Sequence, residues 1–195
     1  PMAPSTAISF FLAGLASLQI GKVKHKKSPP RLHKQLIIVL LVTLFGLLNV
    51  VGFILGLDLT LEDRLVPDLG SLQNIPIARM SPATGLAFFI SGTALIFYSF
   101  RYHHPAKHYL LGNIGSVFAI FVLLISGTFT LAYLYGNPLL YGLGNTIPMA
   151  LTTALGFLFL AISILTIDNT TYLLKSLSQN STRSYILSYL IPFSL

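Results

Sequence analysis

Met2-Ala-Pro-Ser-Thr-Ala-Ile-Ser-Phe10, Met80-Ser-Pro-Ala-Thr-Gly-Leu-Ala-Phe88 and Met149-Ala-Leu-Thr-Thr-Ala-Leu-Gly-Phe157 are one motif written three times. Each of the chain's three methionines heads a copy. Thr6, Thr84 and Thr153 fall in register, as do Phe10, Phe88 and Phe157 and then the small residues Gly14, Gly92 and Ala161. Pro4 and Pro82 share a position that Leu151 takes in the third copy. Every copy opens an apolar stretch, so the fold is read outward from a repeated membrane helix.

Five apolar blocks follow: residues 4–20, 35–57, 82–100, 109–135 and 148–167. Each is near or above the roughly 17–25 residues a spanning helix needs. Charged residues make up only 9% of the chain and hydrophobic residues 54%, with a mean hydropathy of +0.78. A soluble domain carries about 25% charged residues, so the composition excludes that class. A transmembrane barrel is excluded too, because its strands alternate apolar and polar residues and these blocks do not. The expected fold is all-α: a single membrane-integral domain over residues 1–195, a polytopic bundle of about five spans built from parallel repeats. The first block lacks a basic leader and is followed by lysines where a cleavage site belongs, so it is not a signal peptide. Cysteine and tryptophan are absent, which leaves tyrosine to mark the interfaces.

Charge sets the expected orientation. Lys22, Lys24, Lys26, Lys27, Arg31 and Lys34 lie between blocks one and two, Arg101 and Lys107 between three and four, and Lys175 and Arg183 after five. With five crossings these ten of twelve basic residues share one side. The positive-inside bias makes that side cytoplasmic, with loops 21–34 and 101–108 facing inward in a bacterial plasma membrane. A thylakoid is the alternative if the chain serves a photosynthetic complex. The lysine loop reads as topogenic, or as a contact for anionic lipid headgroups. It has no aromatic residue for base stacking, and nucleic acid is not an expected partner.

The motif has a mechanical reading. Ser81 can cap a helix whose first position is Pro82, where the missing N–H costs nothing. Pro4 does likewise in the first copy. Small residues then recur at helical spacing (Ser9, Ala13, Ala16; Ala87, Ser91, Ala94; Gly156, Ser163), and with Gly14 and Gly92 they suit close helix approach. The functional alternative is that three threonine-bearing helix ends converge on an outward-facing ligand site. The Asp58–Ala78 stretch suits a short lid or interfacial helix. The tail 170–195, rich in tyrosine and leucine with Lys175 and Arg183, suits an interfacial helix. The first copy has no span leading into it, so the chain reads as an excerpt of a longer protein.

The stretches Arg79–Phe89, Leu134–Gly144 and Pro148–Phe157, with Gly56-Leu-Asp-Leu before the second motif, resemble a known region. It is the multi-span membrane input region found N-terminal to PAS, histidine-kinase or diguanylate-cyclase modules in bacterial signalling proteins. The resemblance covers most of residues 40–195. It implies a sensor whose output domain follows residue 195, and it carries over no ligand.

Three functions follow. The first is a sensory or signalling input module without catalytic activity, in which Tyr133, Tyr135, Asn137, Pro138 and Tyr141 form an outward hinge or ligand lip. The plainer reading of that segment is an interfacial turn. The second is a non-catalytic subunit of a larger bioenergetic or pigment-protein complex, touching lipid, carotenoid or chlorophyll. There His108 is the one histidine placed for axial ligation, or else a headgroup-level residue. The third, a transporter or enzyme, finds no paired carboxylates, no metal-ligand spacing and no nucleophile–base set. Asp168 ends the fifth block as a solvated residue.

Overall fold

In lipid a backbone must satisfy its own N–H and C=O groups, and an isolated apolar segment does so only as a helix. The computed structural model describes residues 3–23, 32–56, 71–72, 75–76, 80–101, 108–136 and 149–167. Its helices are α1 (Pro4–Val23), α2 (Leu32–Leu55), α3 (Pro82–Arg101), α4 (His108–Leu134) and α5 (Leu151–Thr166). The first four are long and apolar enough to cross a membrane. The fifth has 16 residues, about 24 Å of helix against a hydrocarbon core of about 30 Å. The five expected spans thus become four long helices and a shorter fifth. Ala150 ahead of α5 is extended, and Ile167 closes it in a turn.

Most of the 58–78 stretch, expected as a lid or interfacial helix, lies outside the described residues. Its four described residues are extended. β1 (Ser71–Leu72) pairs antiparallel with β2 (Ile75–Pro76), Ser71 opposite Pro76 and Leu72 opposite Ile75. The tail 170–195 lies outside the described residues.

α3 packs on all four other helices and forms the centre of the bundle. Its closest partner is α2. A Cβ at Gly46 would lie 2.7 Å from the Gly85 carbonyl oxygen and from the Phe89 amide nitrogen, and a Cβ at Gly92 would run into Thr43. Higher numbers on α2 thus meet lower numbers on α3, so the two run antiparallel. On the other flank Tyr98 of α3 lies against Gly115 of α4, and Arg101 against Gly112, again antiparallel. α5 turns back along α4 and also touches α1 and α3. The three motif helices consequently run the same way.

Polarity is arranged for lipid outside and hydroxyls within. Ile8, Phe11, Leu40, Ile54, Phe121 and Phe159 are exposed, while Ser9, Ser17, Thr43, Ser91, Ser99 and Ser116 are buried. The buried hydroxyls are satisfied within their own helices: Ser9 donates to the Ser5 carbonyl at 2.9 Å, Thr43 to Val39 at 2.7 Å and Ser99 to Leu95 at 2.9 Å. Such back-bonding lets a hydroxyl enter a dry interior without a cross-helix partner. Gly56 and Gly136 end α2 and α4 at φ 61° and 69°, the left-handed turn glycine adopts at helix C-termini.

Candidate functional site

The motif builds the seam where α1, α3 and α5 meet. Residues four apart share a helix face, so each copy stacks its threonine and phenylalanine a turn apart, with the methionine ahead of the helix. The three phenylalanines close on one another. Ring centroids are 4.9 Å apart for Phe10 and Phe88, 4.6 Å for Phe10 and Phe157, and 4.6 Å for Phe88 and Phe157, with planes inclined at 60°, 58° and 62°. Such inclined pairs are worth about 0.5–1.5 kcal/mol each beyond their buried area. One turn toward the helix starts, Thr6, Thr84 and Thr153 are all buried, as are Met80 and Met149 in the segments leading into α3 and α5. Met2 lies outside the described residues.

The helix starts follow the sequence rationale. The Ser81 hydroxyl oxygen accepts the Thr84 N–H at 3.2 Å, and the two hydroxyls pair at 2.8 Å. Pro82, Pro4 and Leu151 each take the first helical position. Beyond the phenylalanines Ser163 donates to Ser17 at 3.3 Å, since Ser17 spends its own proton on the Gly14 carbonyl at 2.9 Å. The small residues are not equivalent. Gly92 is a close contact with α2, whereas a Cβ at Gly14 would meet nothing within 4 Å. The expected close approach at Gly14 is therefore absent from the described bundle.

Tyr133 joins α4 to the start of the third motif, its hydroxyl donating to the Met149 carbonyl at 2.7 Å. Tyr135 is exposed. Asn137, Pro138 and Tyr141 of the expected lip lie outside the described residues.

A second polar cluster sits at the opposite end of α3, and sequence reasoning missed it. Arg101 is read from sequence as a loop charge, yet it is the last residue of α3 and only 1% exposed. Its Nε donates to His108 Nε2 at 3.0 Å, and its Nη2 lies 3.3 Å from His108 Nδ1. A neutral imidazole has one acceptor nitrogen, so with Nε2 accepting, Nδ1 carries the proton and the second approach is not a hydrogen bond. The guanidinium lies across Gly112, where a Cβ would come within 2.6 Å of it. One turn back along α3, Tyr98 donates to Ser116 at 2.8 Å and Ser116 to the Gly112 carbonyl at 3.0 Å. A cation at a helix C-terminus is favoured by the helix dipole. His108, the expected candidate for axial ligation, has its Nε2 engaged by Arg101 in this arrangement.

No protein-family model, curated protein or solved structure matches the chain. The site is accordingly read from its geometry alone. Hydroxyl, aryl and thioether groups fill the motif end, and buried Arg101, paired with half-buried His108, clasps α3 to α4 at the other. Among the described residues no three histidine, aspartate or glutamate side chains gather as a metal-ligand set.

Proposed function

We propose that the chain is a membrane-integral sensory input module, without catalytic activity of its own, that carries a packing change from the motif ends of α1, α3 and α5 to the opposite face. One observation carries this reading: the mutual contact of Phe10, Phe88 and Phe157. A change in any of the three helices there is felt by the other two. α3 then runs from that contact to the Arg101–His108 pair, about 20 Å away along the helix. An effector at the motif end acts by preferring one packing of the three helices over another.

In this reading α5 completes a fifth span and the motif copies are parallel repeats. The basic loops face the cytoplasm of a bacterial cell, and the partners are lipids and a signalling domain following residue 195. The charge distribution and the resemblance to sensor input regions support it. The test joins genetics and output. The reading frame continues past Leu195 into a PAS, kinase or cyclase module, and Phe88→Leu alters the response of that module to its signal while the protein still reaches the membrane. A reading frame that stops at Leu195 overturns the proposal.

A second reading, a non-catalytic subunit of a larger membrane complex, is favoured by the exposed aromatic residues Phe11, Phe121 and Phe159 on the outer faces. Purification from native membranes with coloured, stoichiometric partners would establish it. A colourless protein that leaves the membrane alone would remove it.

A further inference from the structure

The start of α3 has a cap that the starts of α1 and α5 lack. The motif threonine stands at the third helical position, where the backbone N–H has no acceptor within its own helix. In α3 the preceding Ser81 supplies one: its hydroxyl oxygen accepts the Thr84 N–H at 3.2 Å and pairs with the Thr84 hydroxyl at 2.8 Å. In α1 and α5 the place of Ser81 is taken by Ala3 and Ala150, and alanine has no side-chain oxygen to offer. The α5 start accordingly has no side-chain cap. Among the described residues, neither the N–H nor the O–H of Thr6 or of Thr153 has a hydrogen-bond partner. Both threonines are nevertheless only 2% exposed.

These donors face a common axis. Thr6, Thr84 and Thr153 lie one turn ahead of Phe10, Phe88 and Phe157 on the same helix faces, and the three rings meet. α1 and α5 come so close there that a Cβ at Gly156 would fall 2.8 Å from the Phe10 ring. The surplus is one of donors: the N–H and O–H of Thr6 and of Thr153, with one hydroxyl proton left over by the Ser81–Thr84 pair. The Met149 carbonyl, an acceptor at this end, is already engaged by Tyr133 at 2.7 Å. α1, α3 and α5 run the same way, so the positive ends of their dipoles fall together at this seam. Unmet buried donors are costly, and donors gathered at helix N-termini suit an anion. Water would meet them only by bringing two donors of its own. The charged residues of these three helices, Lys22 and Arg101, stand at the far end. With no cation beside it a doubly charged anion is too costly to bury, whereas the helix ends match a single charge. The closed phenylalanine cluster bounds the site on its inner side, so the remainder of an organic ligand points away from the bundle.

We propose that the end of the bundle formed by Thr6, Thr84 and Thr153 binds a singly charged anion, a carboxylate or a halide, held chiefly by the N–H and O–H groups of Thr6 and Thr153. The inference rests on the sensory reading only for its consequence, that the anion is the effector drawing the three helix ends together. Binding is read on the purified chain, so a reading frame that stops at Leu195 would sink that reading and leave this site standing.

The full chain in lipid nanodiscs is unfolded thermally while sodium chloride or sodium acetate replaces sodium sulfate at constant sodium concentration. Loss of sulfate by itself lowers stability. The wild-type midpoint is expected to rise and saturate with at least one of the two anions, and the one that acts tells a halide from a carboxylate. Thr6→Val with Thr153→Val keeps the side-chain shape and removes two charge-assisted bonds, so the half-maximal concentration should increase about tenfold or more. Ala3→Ser with Ala150→Ser gives α1 and α5 the cap that α3 has. That pair should raise the midpoint in sulfate alone and abolish the rise with chloride or acetate, a result that a folding failure cannot imitate. A wild-type midpoint that only falls with both anions overturns the proposal and leaves the donors to water. A rise in the Ala3→Ser, Ala150→Ser variant equal to that of the wild type overturns it as well.

Discussion

Phe88 is enclosed by two other rings and fully buried, so removing it leaves a hole that neither neighbour can fill. Phe88→Ala should cost about 3–5 kcal/mol, measured as resistance to unfolding in mixed detergent–SDS micelles. Phe159→Ala, on a side chain 71% exposed, should cost far less. Equal losses would show that the three phenylalanines are not a core. Tyr98→Phe removes one donor but leaves Ser116 bonded to the Gly112 carbonyl. Cross-helix bonds of this kind in membranes average about 0.6 kcal/mol, and that is the expected loss. A loss several-fold larger would mean that the hydroxyl supports more than Ser116.

Glycine substitutions separate the helix pairs. Gly46→Ala and Gly85→Ala drive a methyl group into the facing helix, within 2.7 Å of backbone and 2.9 Å of Asn49 Cβ respectively. Each should destabilise the bundle by about 1–3 kcal/mol. Gly14→Ala meets open space and should be neutral or stabilising in the isolated protein; a loss like that at Gly46 would contradict the packing described. The same contrast shows what can be read from sequence. Block positions follow from apolar length alone, and the start of α3 follows from Ser81 and Pro82, because those signals are local. α1 runs past Ile20 to Val23 because Lys22, which is exposed, can hold its charge away from lipid on a long stem. Gly14 and Gly92 are indistinguishable in sequence, since their difference lies in which helix faces them. Arg101 is hidden for the same reason: its burial depends on Gly112 of another helix, a pairing that hydropathy does not encode.

At the level of the whole molecule, alternating helix directions place the two polar clusters at opposite ends, and orientation becomes directly testable. Lys26→Cys should react with an impermeant maleimide only in inverted vesicles, and Tyr135→Cys, exposed just beyond α4, only in intact cells. The opposite result would invert the bundle. The central position of α3 also constrains biogenesis. As the ribosome delivers the chain, α3 enters the bilayer with α2 ready to receive its glycine face, while its Tyr98 and Phe88 faces wait for α4 and α5. A nascent chain halted after α3 therefore displays a furrow of serine, tyrosine and arginine to lipid. Quality-control proteases should degrade that intermediate faster than a chain halted after α5.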